Sequence, residues 1–142
     1  DAHAGGEPAR VVVGGLPEVP GQSMAQKRAH LMQQHDDLRQ LLLHEPRGYP
    51  CQNLDLVFPS ALPEAAYGFV IAEQGAIYPM MSGHNAMCVA TVLLETGMVA
   101  STAGDVKFAL EAPAGIVEVS ARVVTRVDEA PIVESVGFVF PT

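Results

Sequence analysis

The chain has no tryptophan, two cysteines and only eight lysines and arginines against sixteen acidic residues, for a formal net charge of −8. Its few basic residues are scattered and give no positive face for a nucleic-acid backbone, so no nucleic-acid partner is expected. Cys51 and Cys88 make no disulfide framework. No apolar run approaches the roughly 20 residues that cross a bilayer, and no basic-plus-apolar leader precedes Asp1. No membrane association is therefore expected, and the cytoplasm is the expected compartment. The sequence begins without a methionine, which implies trimming. It also lacks the Gly-x-Gly-x-x-Gly and Gly-Lys-Ser/Thr elements of nucleotide sites. No His, Cys or carboxylate cluster has metal-ligand spacing, so no metal is expected, and His30, His35 and His44 read as exposed helix residues.

At 142 residues and 49% hydrophobic content, the chain is long enough for one domain with a real core. Arg10 to Val13 reads as a strand, followed by a loop through Gly14-Gly15 to Pro20. Ser23 then caps a helix, with Gln26 completing a capping box. Met24, Leu31, Leu38 and Leu42 form one stripe that predicts continuous helix to about Leu43. Glu45-Pro46-Arg47-Gly48 stops it. Leu54 to Phe58 and Tyr67 to Ala72 are short β-rich runs, and an extended piece is expected at Ile77-Tyr78. Further on, Val106, Phe108 and Leu110 alternate with Lys107 and Glu111, and Val117, Val119, Ala121 and Val123 alternate with Glu118, Ser120 and Arg122. These read as half-buried antiparallel strands, with a last strand over residues 132–140. The fold class expected is α+β, a curved sheet wrapped around one buried helix.

That helix is the most informative segment. Ser82 has N-cap chemistry, an apolar run spans Ala86 to Leu94, and Glu95-Thr96-Gly97 offers a glycine where a helix over about 82–96 needs a left-handed end. Met87, Cys88, Val89, Ala90, Val92, Leu93 and Leu94 point in every direction at 100° per residue, so the helix is expected inside the domain. Its free N–H groups at Gly83, His84 and Asn85 would form an anion site suited to a substrate carboxylate.

Met80-Met81-Ser82-Gly83-His84, with the buried helix closing in Glu-Thr-Gly, resembles the first catalytic motif of the proline racemase family. Residues 1–13, Asp1-Ala2-His3-Ala4-Gly5-Gly6-Glu7-Pro8-Ala9-Arg10-Val11-Val12-Val13, resemble its N-terminal signature. Glu45-Pro46-Arg47-Gly48 and Ala112-Pro113-Ala114-Gly115 are similar to two further elements. The resemblance implies one lobe, the N-terminal one, of a two-lobed diaminopimelate epimerase-like fold. It implies an organic-cofactor-free enzyme that removes the Cα proton of a proline-type amino acid between two acid/base groups, the second of them on a second lobe beyond this chain. It places Ser82 where the family carries its first catalytic cysteine. Cys88 does not replace that thiol, since six helical residues set it about 9 Å along the axis.

A serine hydroxyl is far too weak an acid to serve alone as the base. Ser82 is therefore expected to relay a proton or donate a hydrogen bond, with the stronger base on the other lobe, and Gly83, His84 and Asn85 are expected to bind substrate. Such asymmetry favours a hydroxyproline substrate and leaves 4-hydroxyproline 2-epimerisation and trans-3-hydroxy-L-proline dehydration both open, with proline racemisation behind them. Two other classes remain: a carboxylate-binding module that has lost its chemistry, and a structural fragment that dimerises through its interlobe face. Taken singly, Ser82 is most often just a cap. His84 is as readily structural as substrate-binding, and His3, Glu7 and Arg10, or Glu45 with Arg47, more often fix turns and loops.

Overall fold

The structure is a computed structural model and describes residues 1–140. Seven strands form one mixed sheet: β1 (Ala2–Ala4), β2 (Glu7–Val12), β3 (Asn53–Phe58), β4 (Tyr67–Ala72), β5 (Gly104–Ala112), β6 (Gly115–Val124) and β7 (Ile132–Val139). Their order in the sheet is their order in the chain. The helices are α1 (Met24–Gln34), α2 (Asp36–Leu43) and α3 (Gly83–Glu95).

Two neighbouring pairs, β2–β3 and β4–β5, are parallel, and the rest are antiparallel. A parallel neighbour needs a crossover, and the helices supply it: α1 and α2 between β2 and β3, α3 between β4 and β5. The chain reverses between β3 and β4 while stepping across the sheet in one direction, so right-handed crossovers fall on opposite faces. The alternation of side chains shows this. Leu54, Leu56, Phe58 and Val70 pack with Met24, Leu31 and Leu43 beneath α1 and α2, whereas Val57, Phe69 and Ile71 pack with Ala86, Val89, Ala90 and Leu93 of α3. Strands β3 and β4 are consequently buried on both faces. Both edge strands, β1 and β7, also touch α3, so the sheet curls around it.

The expected continuous helix over residues 24–43 is two helices, broken at His35 (φ −136°, ψ 30°). Local chemistry outweighs the apolar stripe. Asp36 begins α2 and takes a bidentate pair from the buried Arg39, at 2.8 Å to each oxygen. It also accepts hydrogen bonds from Gln40 and the Tyr78 hydroxyl. Hydrogen bonding from Arg39 holds the Asp36 carboxyl well below the usual carboxylate range. Tyr78 serves as an anchor here, and Ile77-Tyr78 is not a strand. His30 and His35 are half-buried, their rings 5.3 Å apart; His44 is exposed. Ser23 caps α1 as expected, accepting from Gln26 N–H, while Gln26 Oε1 accepts from Gln22 N–H, one residue short of a full capping box. Among the described residues, no helix is long and apolar enough to cross a membrane, and no three His, Cys, Asp or Glu side chains gather as a metal site.

Candidate active site at the start of α3

α3 is held from both ends. Ser82 is its N-cap, extended at φ −150°, ψ 124°, with its carbonyl accepting from Ala86 N–H at 3.0 Å. At the other end Gly97 adopts φ +76° and Val99 N–H donates to the Leu93 carbonyl. Seven of its residues are buried, Asn85 and Cys88 among them, and each buried Val or Leu contributes about 1.5–3 kcal/mol. The enclosure is not complete. Met87, Thr91 and Val92 are half-exposed, and Met87 and Thr91 line a groove with His3 and Val136 between β1 and β7.

Ser82 and Gly83 are half-exposed, and the N–H groups of Gly83 and His84 meet no acceptor among the described residues. Two donors and a hydroxyl thus converge at the positive end of a four-turn dipole, an arrangement that holds an anion and stabilises charge growing on it. Gly83 is required here by space. A Cβ on it would lie 2.3 Å from Cζ of Phe138, which β7 lays across the helix start. Gly83→Ala is expected to push that ring aside and cost about 1–3 kcal/mol. Thermal unfolding measures this, and adding Phe138→Leu should return most of the loss.

The other expected site residues lie behind this surface. The His84 ring is pinned to β2: Nε2–H donates to the Glu7 carbonyl at 2.7 Å, and Nδ1 is 4.0 Å from the Glu7 carboxylate. Asn85 is inaccessible. Its backbone N–H reaches Ser82 Oγ at 3.4 Å, and its side-chain amide lies between Ser82 Oγ, at 3.0 Å, and the carboxyl of Asp55 on β3. Cys88, one turn from His84, has its Sγ 3.7 Å from Nε2. Burial pushes its thiol up to about 12, with the charges of Asp55 and Glu7 adding to the effect. It is no thiolate near neutral pH. His3, in turn, accepts from Gly6 N–H in the β1–β2 turn. Arg10 ties Asp1 to the Leu42 and Arg47 carbonyls.

Two residues here escaped the reading of the sequence. Asp55 passed as part of an apolar strand, although a lone acid inside Leu54–Phe58 was the signal. Phe138 counted only as one residue of the last strand, over residues 132–140.

The proline racemase family profile matches residues 1–139. The chain belongs to the proline racemase family. A 4-hydroxyproline 2-epimerase of Streptosporangium roseum is 40% identical over 123 residues, 87% of this chain and 37% of the relative. A trans-3-hydroxy-L-proline dehydratase of Bacillus cereus is 38% identical over 115 residues, 81% of this chain and 34% of the relative. Among solved structures, a hydroxyproline epimerase of Agrobacterium vitis with bound trans-4-hydroxy-L-proline superposes with a TM-score of 0.78 at 32% identity, over 92% of this chain and 38% of that one. The chain therefore spans a little over a third of the length of these proline racemase relatives, and its curled mixed sheet around a buried helix is the fold it shares with the Agrobacterium vitis enzyme.

Proposed function

We propose that this chain is the N-terminal lobe of a two-lobed enzyme that removes the Cα proton of a hydroxyproline without an organic cofactor, as a 4-hydroxyproline 2-epimerase or a trans-3-hydroxy-L-proline dehydratase. The observation that carries the proposal is the start of α3, where the Ser82 hydroxyl and the N–H groups of Gly83 and His84, without an acceptor among the described residues, share one half-exposed end of a buried helix. The substrate carboxylate sits on the two N–H groups. There it is stabilised as charge flows toward it from the developing carbanion. Ser82 then lies on one face of Cα and passes or donates a proton, and a stronger base from the second lobe works on the opposite face.

Names of relatives support the substrate class: both curated relatives described above act on hydroxyprolines, and the structural neighbour holds one. Met80, two residues before the cap, and Phe140, edge-on to Phe138, are exposed and supply apolar surface near the helix start on which the second lobe, or a second copy, seats.

Deuterium uptake at Cα in heavy water tests the reading. The complete protein is expected to exchange the Cα proton of 4-hydroxyproline or trans-3-hydroxyproline, while the 142-residue chain exchanges neither, because a single lobe supplies one face and leaves the site open to water. Exchange by the isolated chain would overturn the two-lobe arrangement. A complete protein that exchanges no proline analogue yet binds them would mark a carboxylate-binding module, and one that exchanges only unsubstituted proline would mark a racemase.

A further inference from the structure

One fully buried ionisable group has no role in that chemistry. Asp55 is inaccessible on β3, and no basic side chain pairs with it among the described residues. Its carboxyl faces the Asn85 amide. One terminal atom of that amide lies 3.0 and 3.1 Å from the two carboxyl oxygens, and the other lies 3.0 Å from Ser82 Oγ. Asn85 is itself inaccessible, so neither end of the amide turns to water instead.

A chain of this kind is satisfied in two ways, of opposite polarity. When Asp55 is ionised, the amide N–H groups donate to the carboxylate. The amide oxygen then faces Ser82 and accepts its hydroxyl proton, and the serine oxygen turns its lone pairs outward. When Asp55 is protonated, its O–H donates to the amide oxygen and the amide N–H donates to Ser82 Oγ. The serine proton is then free to point at a bound molecule. An amide turned the other way sets its oxygen against the carboxylate when Asp55 is ionised, and leaves the buried Asp55 O–H without an acceptor among the described residues when it is protonated.

We infer that Asp55 is a positioning residue for Ser82: through the buried Asn85 amide it sets whether the serine offers a lone pair or a proton to the substrate. The inference rests on the proton-handling role proposed for Ser82. Burial pushes the Asp55 carboxyl well above the usual carboxylate range, and the charge of Glu73, just past β4, pushes it the same way, which moves the change of polarity upward from the acidic range. The other ionisable group beside Asp55 is Cys88 on α3, itself held protonated. Glu7 of β2 and His84 of α3 adjoin Cys88.

The chain has two asparagines, Asn53 and Asn85, so selective ¹⁵N-asparagine labelling gives two side-chain amide signals, and Asn53→Ser assigns them without touching the site. In the 142-residue chain the Asn85 amide is expected to shift with pH in a single titration that Asp55→Asn abolishes. In the complete enzyme, Asp55→Asn should lower kcat by roughly tenfold, change KM by less than about twofold, and remove one limb of the pH–rate profile. An Asn85 signal that holds still from about pH 4 to about pH 9 in the folded wild-type chain overturns the inference without any substitution at Asp55. So does an unchanged pH profile in Asp55→Asn when Ser82→Ala has lost turnover. Full turnover in Ser82→Ala instead overturns the reading of Ser82, and the amide titration still reports on Asp55 and Asn85.

Discussion

Replacing Ser82 by alanine in the complete enzyme is expected to lower turnover by roughly 10²-fold or more, the usual cost of losing positioned acid/base help. Folding should lose only about 1 kcal/mol, as for an N-cap, and the 3.4 Å reach to Asn85 N–H places the cap among the weaker ones. Ser82→Cys should behave differently. A thiol at this position is half-exposed at a helix N-terminus, where the dipole favours the thiolate, so activity should be retained and exchange on unsubstituted proline gained. Cys88 is the control within the same helix. One and a half turns further in, burial drives its thiol the opposite way, so position and not residue type decides. Kinetics and thermal unfolding of the two variants, measured together, separate catalysis from capping. Full turnover by Ser82→Ala with only a cap-sized loss of stability would leave serine as a cap alone.

Glu111→Ala is expected to be the most damaging single change to folding outside the core apolar residues. Glu111 is 3% exposed at the end of β5. Its two oxygens accept from Met24 N–H, in the first turn of α1, and from the Ser60 hydroxyl in the β3–β4 connection. Alanine leaves both donors unmet, at a cost of about 2–4 kcal/mol. For a domain of this size that lowers the melting temperature by roughly 5–15 °C, followed by circular dichroism. Glu111→Gln keeps one strong acceptor and should recover about half of the loss. A shift under about 2 °C for alanine would show that water replaces the carboxylate.

Glu111 also shows where the sequence was hard to read. In the alternation Val106, Phe108, Leu110 against Lys107, Glu111 falls at a solvent position, yet α1 and the loop after β3 cover that end of the strand. Period-2 patterning reports which face a residue takes, not what the rest of the chain lays over it. The same limit explains Asp55, whose strand is buried on both faces. It also explains Phe138, whose contact with Gly83 spans more than fifty residues. By contrast α3 was legible at both ends, because Ser82 and Gly97 act on their own turns of backbone. The break at His35 was not, since the stripe of Met24, Leu31, Leu38 and Leu42 survives a kink and the Asp36–Arg39–Tyr78 cluster that imposes it comes from two distant segments. For the candidate site, the motif placed Ser82 and Gly83 at a helix start, where the structure has them. It did not reveal that Asn85 turns inward to Asp55.

Because sheet order equals chain order, every strand joins a neighbour already synthesised, and no pairing waits on a later segment. The sheet can therefore assemble strand by strand in chain order, with modest loop-closure cost at each addition. The exception is the cover on α3. Phe138 arrives with β7, more than fifty residues after Gly83, so the helix start remains bare until that strand has been made.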